Sequence, residues 1–283
     1  MQCTREYLDD IVLEWFGLSA DPFDDPANPE DLYLSPANIS AEKAMREAVR
    51  RRHLLAICGE PGSGKSALLR RFISKAQNEQ LVRVIEPASL DRRHITARTL
   101  AVAILRVLIQ RDTSPMGSEA QSELLQAALR EQVASGMFPV LIMDEAHLLQ
   151  TSALLAVKQL WDSSSAYKHL SVCLVGHLAL ANALRANPAI RELGGRTKVV
   201  EMQAMFNPKA ARGHGADVAT AYLDWRLSKV GADVRTIFDD LAIQEIARRG
   251  EYPLWINNLS VRAMQYAHAA GDKLVLAEHV GRV

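Results

Sequence analysis

The stretch Gly59-Glu60-Pro61-Gly62-Ser63-Gly64-Lys65-Ser66 decides the reading of this chain, because it satisfies G-x-x-x-x-G-K-[ST] between an apolar run and a helical pattern. Before it, Leu54-Leu55-Ala56-Ile57-Cys58 has the composition of a buried strand, and after it Ser66 to Ile73 carries apolar residues at helical period. Strand, glycine-rich turn and helix in that order make a phosphate cradle. The glycines let the backbone curl so that successive N–H groups point inward, and the following helix presents its positive end to the same anion. Lys65 is expected to reach the β- and γ-phosphates, and Ser66 to hold Mg²⁺ through its hydroxyl. The eight loop residues, together with Ala67, are the expected nucleotide contacts, so ATP and Mg²⁺ are the expected cofactors. A turn that merely contains Lys-Ser is the competing reading, and the strand-loop-helix setting argues against it.

A bound nucleotide needs acidic partners for its metal, and Pro139-Val140-Leu141-Ile142-Met143-Asp144-Glu145 supplies them. Four consecutive apolar residues fit a strand covered on both faces of a parallel sheet, and the acids fall at its C-terminal end, where open α/β sheets bind ligands. Asp144 is expected to hold Mg²⁺, directly or through water, and Glu145 to polarise the attacking water. A strand that ends in two solvated acids is common, so this reading draws its force from the pairing with Lys65.

At 283 residues the chain has room for a full α/β core and a small second domain. Its net charge is zero, so any nucleic-acid contact must come from a local basic patch rather than a global field. Cys3, Cys58 and Cys173 have no C-x-x-C spacing, and the eight histidines show no ligand spacing, so reduced core thiols and a cytoplasmic setting are expected, without a structural zinc. No run of 18 apolar residues occurs, and the N-terminus lacks the features of a signal peptide; no membrane contact is expected.

Along the chain, Tyr7, Leu8, Ile11, Val12, Trp15 and Phe16 mark a short amphipathic helix ending at Gly17, followed to Asn38 by a run of breakers read as loop. Residues 1–40 hold nine acids against one base, Arg5, so this segment avoids phosphate backbones and is either solvated or laid against a basic neighbour. A helix over 40–51 precedes the first strand. Further strands are read at 81–85, 139–143, 170–175 and 198–202, with helices between them. One of these helices opens on Ser118-Glu119-Ala120-Gln121, a capping-box pattern. Strands alternating with helices at this spacing predict an α/β fold, a doubly wound parallel sheet. Beyond Pro208 helical segments dominate, closed by Gly231, Gly250 and Gly271. The expected parts are an N-terminal acidic segment (1–40), a nucleotide-binding α/β domain (41–207) and a helical lid (208–283).

Phe16-Gly17-Leu18 with Pro22-Phe23, Leu32-Tyr33-Leu34-Ser35-Pro36, the phosphate loop, Asp144-Glu145-Ala146-His147, Val175-Gly176-His177 and Pro253-Leu254-Trp255-Ile256-Asn257-Asn258-Leu259 together resemble the AAA+ ATPases of the ExeA and TnsC type, which are related to the B protein of phage Mu. The resemblance implies a P-loop nucleotide domain with a helical lid, and subunits joined head to tail with ATP at their interface, in a ring or helical filament. It also implies an arginine supplied by the neighbouring subunit, for which Arg196 and Arg191 are the candidates. The resemblance makes His177, after the fourth strand, a further expected nucleotide contact; the chain departs from the family pattern there and at His147, where glutamine is usual, and at Leu254, where arginine is usual.

Within that resemblance two functions compete. The favoured expectation is a regulator of DNA transposition that assembles on double-stranded DNA in its ATP state and recruits a transposase, with a target-selection protein as a further partner. The alternative is an ExeA-like secretion-assembly or signalling ATPase acting on protein partners without DNA. A basic surface separates the two, and Arg92, Arg93, His94 and Arg98 are its best candidates, since sequence-neutral phosphate contacts need only donors and charge.

Overall fold

The computed structural model describes residues 4–87, 95–110, 113–114, 116–163, 168–205 and 214–283. The chain divides into two compact units, one formed by Pro36–Glu60 and Lys65–Met202, the other by Met1–Ser35, Pro61–Gly64 and Gln203–Val283.

The first unit is organised by β1 (Leu54–Gly59), whose six residues are all buried. It is flanked by β4 (Ser171–Gly176) and β5 (Thr197–Met202), while β3 (Phe138–Met143) and β2 (Val82–Ile85) extend the sheet beyond β4. The order is β2-β3-β4-β1-β5, every pairing is parallel, and the expected doubly wound α/β sheet is the fold observed. Helices supply the covering layers: α2 (Pro36–Arg51), α3 (Lys65–Glu79), α4 (Ala97–Ile109), α5 (Ser118–Ala134), α6 (Thr151–Ser163), α7 (Leu178–Ala186) and α8 (Arg191–Arg196). Leu100, Ile104 and Leu105 of α4, Leu129 of α5 and Val157 of α6 share one core with Leu141, Val172 and Leu174 of the sheet. Cys58 and Cys173 lie buried in β1 and β4. Burial pushes their thiols up to about 11 and about 12, which keeps them protonated and unreactive.

Two local expectations are corrected. The stretch read as loop to Asn38 turns helical at Pro36, because proline at the first helical position gives up an N–H that has no partner there anyway. The capping box is absent from α5, which is preceded by Gly117 with no side-chain cap. Gln121 instead turns its amide onto the Thr113 carbonyl at 3.1 Å, and the box stands on α4, where Thr96 and Thr99 satisfy each other's backbone N–H.

The second unit joins the two ends of the chain. Its helices are α1 (Asp10–Phe16), α9 (His214–Ser228), α10 (Val234–Ile237), α11 (Asp240–Arg249), α12 (Pro253–Ala270) and α13 (Ala277–Gly281). Leu8, Val12, Leu18 and Phe23 enter one core with Leu223 of α9, Ile246 of α11 and Met264 of α12. Polar contacts fix the same join. Asn258 donates to the Thr4 carbonyl at 2.9 Å and accepts from the Glu6 N–H at 3.1 Å, Arg262 pairs with Glu6, and Trp15 donates to the Asp272 carbonyl at 3.0 Å. Gly271 closes α12 in the left-handed conformation expected of a helix terminator. Gly250 ends α11 for another reason: its φ is −95°, and a Cβ there would lie 2.8 Å from Ile256 Cγ1.

Candidate functional site

Because β4 lies between β1 and β3, three adjacent strands deliver their C-terminal ends side by side: the phosphate loop after β1, His177 after β4, and Asp144-Glu145 after β3. This is the edge at which parallel sheets bind ligands. Gly62 and Gly64 adopt φ of +81° and +90°, a region closed to most side chains, so the curl of the loop depends on these two glycines. Lys65 opens α3 and folds back so that Nζ donates to the carbonyls of Gly59 and Glu60, each at 2.9 Å. Burial holds its ammonium below the usual lysine range, while the carboxylates of Glu145, Asp144 and Glu60 pull the other way. Ser66 and Ala67 follow in the first turn of α3, with Ser66 exposed. Within the other unit, which includes loop residues Pro61–Gly64, the Leu254 N–H lies 3.3 Å from the Gly62 carbonyl, and a Cβ on Gly62 would meet Leu254 Cβ at 2.8 Å. Leucine meets the loop there by packing and offers no donor from its side chain.

Asp144 Oδ1 accepts the Glu145 N–H at 2.8 Å. Glu145 itself sits at φ 52°, ψ 35°, a left-handed conformation that costs a non-glycine residue on the order of 1 kcal/mol. The turn brings its carboxylate beside His147, whose Nδ1 is 3.2 Å from Glu145 Oε2 and 3.4 Å from the backbone nitrogen of His177. His177 caps α7 by accepting the Ala179 N–H on Nδ1, which leaves the proton on Nε2 to be donated to Glu60 Oε2 at 2.8 Å. Gly176 permits this crowding, since a Cβ there would stand 3.1 Å from the His147 nitrogen. A relay of contacts therefore runs Glu60, His177, His147, Glu145 across the ends of β1, β4 and β3. Sequence reading misses it: Glu60 and His177 stand 117 residues apart, and no local spacing signals the pair.

The donor set fits a magnesium nucleotide. It combines loop N–H groups and an ammonium for phosphate oxygens with a hydroxyl and a carboxylate, the hard oxygen ligands that Mg²⁺ prefers. The structure therefore brings Gly59, Glu60, Lys65, Ser66, Ala67, Asp144, Glu145 and His177 to one edge of the sheet.

The two candidate arginines stand on α8. Gly194 seats this helix, because a Cβ there would fall 1.8 Å from the Leu184 carbonyl oxygen. Arg196 is engaged by Asp162 at 2.7 Å, whereas Arg191 is exposed and, among the described residues, meets no acid. Of the basic candidates, Arg92, Arg93 and His94 lie outside the described residues. Arg98 directs Nη2 onto the carbonyls of Ser114 and Met116 at 2.8 and 2.9 Å, and so braces a loop. Away from this edge, Asp272, Glu278 and His279 converge. His279 Nδ1 accepts the Leu276 N–H at 3.0 Å, which puts its proton on the nitrogen facing Asp272 and leaves no lone pair for a cation.

Fold and site together are those of a P-loop nucleotide-binding domain, with a donor set suited to ATP and Mg²⁺. Residues 48–184 match the AAA domain family AAA_22. The chain is 27% identical over 270 residues to general secretion pathway protein A of Aeromonas hydrophila, covering 94% of this chain and 46% of that one, so it spans about half the length of this curated relative. Among solved structures it is similar to the Walker-type ATPase PABY2304 of Pyrococcus abyssi, at TM-score 0.60 and 16% identity over 92% of this chain and 74% of that one. Cdc6p of Pyrobaculum aerophilum gives TM-score 0.58 and 18% identity over 95% and 68%, and Drosophila ORC bound to DNA gives 0.56 and 15% over 96% and 64%. At these identities the structures share the fold. Among the described residues no helix is long and apolar enough to cross a membrane.

Proposed function

We propose that this chain hydrolyses ATP with Glu145 as the group that orients and polarises water, Lys65 and the loop N–H groups as the phosphate cradle, and Ser66 and Asp144 as the metal-side ligands. Mg²⁺ supplies charge neutralisation on the phosphate oxygens when bound. The observation that carries this reading is the convergence of Lys65 and the Asp144-Glu145 pair at the ends of strands separated by one strand. His147 is a positioning residue, since its ring stands against the Glu145 carboxylate while its Nδ1 accepts the His177 N–H, and His177 ties the loop residue Glu60 to the same relay.

The site is completed in trans, with subunits assembled head to tail and an arginine from α8 reaching the neighbour's γ-phosphate. Arg191 is better suited than Arg196, because it is exposed without an acid while Arg196 is tied to Asp162. Arg191→Ala is expected to bind ATP normally and lose ATP-dependent assembly and turnover together. Arg196→Ala with the same phenotype, beside a wild-type Arg191→Ala, would exchange the two roles.

The work done with that ATP is the assembly of a protein partner, as in the secretion-linked alternative. The support is the relationship to general secretion pathway protein A, which runs along 94% of this chain. A second reading, the transposition regulator that oligomerises on target DNA and recruits a transposase, draws on the basic run Arg92-Arg93-His94 and on the similarity to ORC bound to DNA. Duplex binding measured with ATP at two salt concentrations separates them. The protein-partner reading predicts no binding in any nucleotide state. Salt-sensitive binding that Arg92→Ala with Arg93→Ala weakens equally on unrelated sequences would favour the DNA reading.

A further inference from the structure

A groove of about 700 Å³ opens in the sheet unit between the second half of α2, the second half of α3 and the starts of β2 and β3. It lies at the N-terminal ends of these parallel strands, the opposite end of the sheet from the phosphate loop and Asp144. Its floor is apolar, with Leu81 55% exposed beside Val82 and Phe138. Its rim carries five bases against two acids. Both acids are already matched, Glu79 by Arg46 and Glu47 by Arg51. Lys75 is matched too, by Glu42. Lys43 and Arg50 remain: both are exposed, they lie on the same face of α2 as Arg46, and among the described residues neither meets an acid. Two unmatched cations over an exposed apolar floor call for a segment that brings acids and an apolar anchor together.

This chain displays such a segment. On α1, Asp10, Ile11 and Glu14 share one exposed face, with Ile11 66% exposed and Tyr7, just before the helix, 55% exposed. Among the described residues Asp10 and Glu14 meet no base. The opposite face of α1 is spent on its own unit through Val12 and Trp15, so the acidic face is the one left outward. We propose that the groove receives α1 of a second copy, with Asp10 and Glu14 meeting Lys43 and Arg50 while Ile11 covers Leu81. Such a contact joins two different surfaces, so it is heterologous and propagates from copy to copy. Its position away from the phosphate loop makes it independent of nucleotide, and it stands or falls separately from the catalytic reading.

Sedimentation velocity across a concentration series without nucleotide tests it on three full-length proteins. Wild type is expected to associate as concentration rises. Lys43→Glu with Arg50→Glu places acids opposite acids, and Asp10→Lys with Glu14→Lys places bases opposite bases. Each variant alone is expected to need at least tenfold higher concentration to associate. An equimolar mixture of the two restores both opposite-charge contacts and is expected to associate like wild type, which separates lost complementarity from lost folding. Either variant associating like wild type alone, or a mixture that stays dispersed while each variant keeps the wild-type circular dichroism melt, would overturn the proposal. A wild type that stays monomeric throughout would also overturn it and leave the groove to a foreign acidic segment.

Discussion

The sheet unit and the unit built from the chain's two ends are held together in opposite ways. In the sheet unit strands and helices alternate along the chain and meet in one parallel sheet, and the candidate functional groups sit at strand ends, in the turns after them or in the first turn of α3. The other unit is closed by contacts between residues more than 250 positions apart, such as Glu6 with Arg262 and Trp15 with the Asp272 carbonyl. The difference shows where function and stability are lodged. A change at the sheet's C-terminal edge removes chemistry from an intact frame, whereas a change at the join of the chain ends loosens a frame that carries little of the chemistry.

The sharpest separation comes from Lys65→Ala. It removes the ammonium held by the Gly59 and Glu60 carbonyls and is expected to weaken ATP binding about a hundredfold or more, the cost of losing charge-assisted bonds to phosphate. Equilibrium binding checks this, and a melting temperature close to wild type shows that the frame survived. Unchanged affinity would move the phosphate site elsewhere.

Within the same unit, Glu42 is the frame's own charged centre. Buried on α2, it accepts from Arg71 at 3.1 Å and Lys75 at 3.0 Å. Burial alone would raise its carboxyl, but the hydrogen bonds from Lys75 and Arg71 outweigh this and hold it below the ordinary carboxylate range. A depressed folded value means that its stabilisation is present above the unfolded carboxylate pKa and is lost as pH falls through the folded one. Glu42→Ala removes the carboxylate that Arg71, Lys75 and Arg46 share and is expected to cost about 3 kcal/mol at neutral pH. Urea unfolding at several pH values checks both points, because the variant should lose part of the wild type's decline in acid. An undiminished acid decline in the variant would assign that dependence to other groups.

A smaller effect is expected at the join of the chain ends. Arg262→Ala removes the ion pair with Glu6, which is partly exposed to solvent and therefore worth about 1 kcal/mol or less. Adding salt should narrow the gap between variant and wild type, as screening requires. A salt-independent loss several times larger would mean that the pair locks the join rather than trims it.

The same contrast governs what the sequence discloses. The apolar runs, the loop glycines and the alternation of strands with helices are local signals, and the five strands form close to where the pattern sets them. The partners of α1 are not local. Its apolar face reads clearly, yet nothing near it says that Leu223 or Met264 will cover it. The relay of contacts from Glu60 to Glu145 is hidden for the same reason, since it crosses three strands whose order no short window contains. Local chemistry can also mislead: Ser118 and Gln121 have the spacing of a capping box, but Gln121 finds a buried partner in the Thr113 carbonyl and leaves the helix start uncapped.

Glu145 is the proposed group that acts on water, and one comparison tests that role most directly: ATP affinity and steady-state phosphate release by Glu145→Gln against wild type. The amide keeps the size of the side chain and leaves Asp144 and Lys65 in place, so affinity is expected to stay within about threefold while turnover falls by about a hundredfold or more. Turnover at the wild-type rate with unchanged affinity would contradict the assignment and place the catalytic role on another residue.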